Sequence, residues 1–222
     1  MTDDEPGVLG RVKEKLVRAK ERWAREGRLL TGRPGDAARD RLPPGQREVR
    51  NWPVLDLGFQ PEIDPADWRL AIDGLVANPV GWTWAQFRAQ PRVSSVSDIH
   101  CVTAWSRFAN HWDGVAAKHL VAVVRPLPSA HHVLCHSDDG YTTNLPLDVF
   151  ADDDVLLADS WEGKPLPPEH GGPVRVVVPR RYFWKSAKWV RRIEFLAEDR
   201  PGFWETRGYH NEADPWKEER YG

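Results

Sequence analysis

From Val49 onward the apolar residues come in short runs rich in β-branched and aromatic side chains, and each run stops at a turn signal. Trp68 to Ile72 is closed by Asp73-Gly74, while His132 to Ser137 and Tyr141 to Thr143 flank Asp138-Asp139-Gly140. This punctuation predicts strands, the second pair joined as a hairpin. Val93 to Cys101, Val155 to Ala158 and Val174 to Val178 are strands on the same grounds, and Lys188 to Leu196 is one by its β-branched and aromatic content. Helices are few in this region. Thr83-Trp84-Ala85-Gln86 is a capping box, in which the threonine oxygen and Gln86 each satisfy a free backbone donor, and it predicts a short helix to about Arg88. No regular alternation of strands and helices supports a doubly wound sheet. The expected fold is α+β, with several small mixed sheets and short helices.

Ahead of this domain, Val8, Val12, Leu16, Ala19 and Trp23 recur every three or four positions, with lysines and arginines on the other faces. Residues 1–30 therefore read as a basic amphipathic helix, docked on the domain surface or serving a partner or a membrane surface. Residues 31–48 carry Gly32, Pro34, Gly35, Pro43, Pro44 and Gly45 and read as a linker, leaving 49–222 as the folded domain. Thirty-one basic against 33 acidic residues give no global reason to expect nucleic acid as a partner. No run approaches the roughly 20 apolar residues of a membrane-spanning helix, and residues 1–10 lack the apolar segment of a signal peptide. Two cysteines, Cys101 and Cys135, rule out a cystine scaffold, so a reducing, cytoplasmic location is expected.

Three segments carry candidate chemistry. In His100-Cys101-Val102-Thr103-Ala104-Trp105-Ser106 a cysteine leaves a predicted strand into a polar, aromatic loop. A soft thiolate there suits a metal that already carries sulfur, although a lone cysteine is equally at home as a small buried hydrophobe. In Glu169-His170-Gly171-Gly172-Pro173-Val174-Arg175 a glycine turn permits close backbone approach to a ligand, and a guanidinium at a strand position requires an anion or another acceptor. In Pro179 to Trp189 bases and aromatics interleave, a composition that fits single-stranded nucleic acid or a phosphorylated ring-bearing cofactor equally well.

In order along the chain, Arg50-Asn51-Trp52-Pro53-Val54, Asp98-Ile99-His100-Cys101-Val102-Thr103, Gly140-Tyr141-Thr142-Thr143-Asn144, His170 to Arg175 and Trp184-Lys185-Ser186-Ala187-Lys188-Trp189 resemble the molybdopterin-binding domain of the sulfite oxidase superfamily. The likeness is greatest to its short prokaryotic sulfite oxidase-like members, which are related to methionine sulfoxide reductase catalytic subunits. It runs from about Val49 to the end. The resemblance implies the α+β fold named after sulfite oxidase and a mononuclear molybdenum-molybdopterin cofactor with one pterin. By the same resemblance Cys101 is the protein's metal ligand. The Asn51-Trp52 loop contacts the pterin, His170 takes the place of a family polar residue, Arg175 is the phosphate-side arginine, Ser186 and Lys188 belong to the loop that wraps the phosphate, Tyr141 and Thr142 border the cofactor, and His100 is a further cofactor-binding residue. It also implies oxygen-atom transfer at a sulfur centre, with an electron partner that is a protein or a quinone. Neither a haem domain nor an immunoglobulin-like dimerisation domain matches within these 222 residues, so haem-mediated electron exit and the family's usual dimer are not implied.

For an oxyanion substrate such as sulfite, Arg107, Arg180 or Arg181 would supply positive charge, with Arg107 the expected catalytic cation. For a neutral sulfoxide, Trp105 or Trp112 would shape an apolar pocket. Two other readings compete. Cys101 with His100 is a conceivable nucleophile and base, although no oxyanion-hole motif accompanies them. His131, His132, Cys135 and His136 are close enough in sequence for a zinc site, but on a strand His132 and His136 share one face while Cys135 takes the other.

Overall fold

The computed structural model describes residues 8–26 and 41–222, so residues 31–40 of the expected linker lie outside the described residues. Eleven strands form two sheets among these residues. One contains β1 (Arg47–Glu48), β4 (Val93–Cys101), β5 (Trp105–Ala116), β8 (Leu156–Trp161), β9 (Lys164–Pro165) and β10 (Arg175–Val177). The other runs in the order β3 (Val80–Thr83), β2 (Arg69–Gly74), β11 (Val190–Leu196), β6 (His132–Ser137) and β7 (Thr142–Pro146). With α2 (Trp84–Arg88), α3 (Ala117–Val124) and α4 (Leu147–Phe150) this is the expected α+β class. β1 already pairs in parallel with β5, so Arg47 and Glu48, at the end of the stretch read as linker, carry sheet structure.

Strand alternation builds two cores on opposite faces of the first sheet. Val115, Leu157 and Val176 point into a core shared with Leu70, Ile72, Val133, Ile193 and Phe195 of the second sheet. Leu156, Ala158 and Val177 point the other way, onto Trp52, Cys101, Trp105, Trp112 and Tyr182. The second core is the one that holds the site.

β5 and α3 were not legible as elements. β5 is 12 residues long and mixes Ser106, Asn110, Asp113 and Gly114 with its apolar residues because three strands share its length. Gly114 is required where β8 crosses closely: a Cβ there would sit 2.1 Å from the Leu157 carbonyl oxygen. In α3 the valines suggest a strand, yet Ala117, Leu120 and Val124 fall on one helical face and are fully buried. The capping box at Thr83 forms as expected, with both reciprocal hydrogen bonds present.

The N-terminal helix α1 (Val8–Arg25) docks on the second core, but not on the face that its apolar spacing selects. Val12 stays exposed, whereas Val17 and Ala24 are buried and Lys13 and Lys20 are half-buried on the same side. Lysine stems can cover apolar surface while their ammonium groups reach a polar environment, so a buried stripe need not be wholly apolar.

Candidate functional site

β4 and β5 form a hairpin whose turn, Val102-Thr103-Ala104, follows Cys101 directly. The Ala104 amide donates to the Cys101 carbonyl at 3.1 Å, and Ala104 takes a left-handed backbone with φ 65°. A second donor, Gln46 Nε2, reaches the same carbonyl at 3.0 Å. These contacts hold the cysteine at the strand end, with Sγ and Thr103 Oγ1 sharing a hydrogen bond of 3.2 Å. Burial raises the Cys101 thiol pKa, against the pull of Thr103, Lys20 and Arg220. Without a metal the sulfur is therefore protonated near neutral pH, and ligation must displace that proton.

Cys101 opens into a cavity of about 870 Å³, counting its open mouth. Trp52, Tyr141, His170, Arg175, Ser186 and Lys188 line the same cavity, so the structure brings together seven of the expected site residues. The short 3-10 turn Pro168–His170 ends at Gly171 with φ 107°, and a Cβ there would meet Lys188 at 2.9 Å. Glycine thus lets the loop at Gly171 and the loop at Lys188 touch. Arg175 begins β10 and is 1% exposed, yet no carboxylate pairs with it among the described residues. Its guanidinium donates to the carbonyls of His170 and Ser186, each at 2.8 Å, and lies over the Phe183 ring at 4.1 Å. Burial holds its pKa down at about 9.

Lys188 donates to the Glu169 carbonyl at 2.7 Å, and burial followed by the charge of Arg175 brings its pKa to about 7. Ser186 Oγ accepts from the Val178 amide at 2.9 Å. The His170 ring stacks on Trp52 with centroids 3.7 Å apart and planes 3° from parallel. Burial, then Arg175 and Lys188, lower its pKa to about 3, so the imidazole is neutral. Tyr141 donates to the Trp184 carbonyl at 2.6 Å.

Four expected residues are not among those lining the cavity. His100, one position before Cys101, takes the other side of β4, where its Nδ1 meets Ser106 Oγ at 2.8 Å and its ring faces Trp216. Alternation along the strand separates it from the thiol, which removes the support for a nucleophile and base pair. Thr142 sits in the β6–β7 ladder opposite His136, and Asn51 is exposed. Arg107 lies over the outer ring of Trp161 at 4.7 Å and pairs with Glu162 and Asn110, so Trp161 stands between it and the stacked His170. Arg180 and Arg181 are engaged with Asp152, Asp154 and Glu212 on the surface. Trp105 is in the cavity wall, and Trp112 supports Trp52 edge-on from behind.

The other composition-based readings find no geometry here. Cys135 is fully buried in the first core while His136 pairs with Glu194 at 3.0 Å, and no group of three or more metal-ligating side chains occurs among the described residues. In the basic aromatic segment Tyr182, Lys185 and Ser186 are buried, and Lys185 pairs with Glu205 at 2.7 Å, so these groups face the interior and not a nucleic acid. No helix among the described residues is long and apolar enough to cross a membrane.

Sequence reasoning missed several wall residues. Trp184 and Trp189 lie within the Trp184-to-Trp189 motif, Ser137 precedes the predicted hairpin turn and Asp139 lies within it. Lys20 gave no signal at all, because it comes from the N-terminal helix. Trp105 Nε1 and Ser137 Oγ are buried without a hydrogen-bond partner, and both residues line the cavity. Buried donors of this kind are normally satisfied, so a polar ligand is the expected partner.

Comparison with known proteins agrees with this geometry. The chain is 46% identical over 182 residues to the uncharacterized oxidoreductase YuiH of Bacillus subtilis (strain 168), covering 82% of this chain and 92% of that one. It is 32% identical to the protein-methionine-sulfoxide reductase catalytic subunit MsrP of Gluconobacter oxydans (strain 621H), over 63% of this chain but only 50% of that protein. Among solved structures, the sulfane dehydrogenase SoxCD from Paracoccus pantotrophus shares the fold with a TM-score of 0.58, at 24% identity and over 63% of this chain and 40% of that one. The family model of the oxidoreductase molybdopterin binding domain matches residues 57–204, and the chain belongs to that family of molybdopterin-binding oxidoreductases.

Proposed function

We propose that the chain is a molybdenum-molybdopterin oxidoreductase acting at a sulfur centre, of the sulfite or sulfoxide type, with Cys101 as the protein's ligand to the metal. The observation that carries this reading is that one cavity joins the Cys101 thiol to a fully buried guanidinium lacking a carboxylate. A buried cation without a counter-ion is costly, and an anionic group placed between Arg175 and Lys188 offsets that cost. The phosphate of a pterin cofactor is such a group. The stacked Trp52–His170 pair offers a flat wall to a ring system, and the neutral imidazole supplies one donor and one acceptor. Trp105 Nε1 and Ser137 Oγ add two groups in want of partners. The residues present therefore fit the group.

When bound, the cofactor supplies two-electron redox chemistry coupled to moving an oxygen atom to or from the substrate. The chain's own residues do the remaining work. Arg175, Lys188 and Ser186 hold the phosphate end, Thr103 orients the Cys101 sulfur, and the aromatic wall of Trp52, Trp105 and Trp184 excludes water. Cys101 would be the one soft sulfur donor that the chain offers the metal. The relatives named as sulfoxide reductases support a sulfur-centred substrate, and the cysteine usage supports a cytoplasmic setting.

The test is Cys101→Ser in full-length protein made in a host that synthesises molybdopterin. The variant is expected to lose the visible thiolate-to-metal absorption and turnover of sulfite or methionine sulfoxide while keeping its thermal midpoint. Full turnover with an unchanged absorption spectrum refutes the ligand assignment.

A further inference from the structure

Lys20 is the cavity residue that the N-terminal helix supplies. It lies between Val17 and Ala24 on the docked face of α1, three residues after one and four before the other, and both of those are buried. The helix is tied down on either side of it. The Tyr221 hydroxyl donates to the Glu21 carbonyl at 2.7 Å, Arg25 lies over the Tyr221 ring at 5.4 Å, and Lys13 lies 5.5 Å from the Phe203 ring. The ammonium of Lys20 is thus placed in the wall by packing and is not a loose surface charge.

Its neighbours leave it unanswered. Among the described residues no hydrogen bond or ion pair within 4 Å involves Lys20 Nζ. Asp56 lines the cavity too, but its oxygens already accept from the Gly58 amide at 2.8 Å and Gln60 Nε2 at 2.7 Å. Lys188 and Arg175 spend donors on backbone carbonyls, whereas all three N–H groups of Lys20 are free for a ligand. With Lys20 the wall carries three basic side chains against Asp56 and Asp139, and the unpartnered donors of Trp105 and Ser137 share it. A neutral sulfoxide needs none of this positive charge. An oxyanion needs both the charge and the donors.

We propose that Lys20 is an anion-binding residue of the Cys101 cavity, delivered by the N-terminal helix to hold an oxyanion of the sulfite, sulfate or phosphate class. The inference rests on the cavity being the ligand site, as argued above, but not on which metal it holds. Two sources offer this chemistry: an oxyanion substrate and the phosphate of the cofactor.

The experiment compares full-length wild-type protein with Lys20→Met, Lys20→Arg and, as a control for charge, Arg18→Met, whose exposed side chain pairs loosely with Glu14. Sulfate and inorganic phosphate are titrated against tryptophan fluorescence, and the pterin released on denaturation is counted per chain. Lys20→Met is expected to weaken sulfate binding at least tenfold, with Lys20→Arg within threefold of wild type and Arg18→Met unchanged. Weakened sulfate binding with wild-type pterin content assigns Lys20 to the substrate, and a fall in pterin per chain assigns it to the cofactor's phosphate. Unchanged sulfate affinity together with unchanged pterin content in Lys20→Met overturns the proposal, as does a wild-type protein that binds neither anion while Lys20→Met keeps its pterin. If wild-type protein contains no pterin yet binds sulfate in a Lys20-dependent way, the cofactor reading fails and the role of Lys20 stands.

Discussion

Acidification should destabilise this fold through His170. The side chain is 6% exposed and stacked on Trp52, and burial, Arg175 and Lys188 hold its pKa at about 3 against an ordinary value of 6.5. Because the folded value is depressed, the unfolded chain takes up the proton first. The imidazole's contribution is complete above about pH 6.5 and is lost as the pH falls from there toward about 3. At about 1.4 kcal/mol per unit, the loss amounts to about 1.4 kcal/mol at pH 5.5 and about 2.7 kcal/mol at pH 4.5. That is a large share of a typical domain stability of about 5–15 kcal/mol. His100, whose pKa burial lowers to about 4, adds a loss of the same sign. The assay is urea unfolding followed by tryptophan fluorescence across this pH range, on wild type and His170→Gln. Taking the difference between the two proteins removes the contribution of His100 and the carboxylates. That difference should change by about 2.3 kcal/mol in favour of the variant between pH 6.5 and pH 4.5. Stability curves that stay parallel refute the reasoning, whatever their vertical offset. Saturating phosphate should shrink the effect, since an anion beside Arg175 and Lys188 cancels part of the charge that repels the proton.

Three further outcomes follow from packing. Gly114→Ala forces a Cβ against the Leu157 carbonyl and should cost about 3 kcal/mol or prevent folding, read as the urea midpoint. Glu205→Gln leaves Lys185, which is 1% exposed, without its carboxylate and should cost about 3–5 kcal/mol; a thermal midpoint equal to wild type would show that Asn144 alone satisfies the ammonium. Thr83→Ala removes the side-chain half of a formed capping box at the start of α2, and a loss of about 1 kcal/mol in chemical denaturation is expected.

Much of the fold was legible wherever local chemistry decides it. The hairpin around Asp138-Asp139-Gly140, the strand that ends at Cys101 and the cap at Thr83 were readable because turn residues and alternation act over a few positions. β5 was not, because its polar residues are satisfied by long-range pairing with β1, β4 and β8. The cavity was readable at Trp52, Cys101, His170, Arg175, Ser186 and Lys188 through the family likeness, while local sequence alone left Cys101 open to other roles. Arg107 and His100 are not among the residues that line the cavity. Proximity in sequence to Cys101 says nothing about which side of a strand or which side of Trp161 a group occupies. Lys20 was invisible for a different reason: apolar spacing assigns the buried face of a helix, and here the buried face carries lysines.

The central claim is that the Cys101 cavity holds molybdenum on a single pterin. The most direct measurement is elemental analysis of full-length protein from a cofactor-competent host, paired with the fluorescence of the oxidised pterin it releases. One molybdenum and one pterin per chain is the predicted result. Protein that is folded, made in that host and free of both would contradict the account.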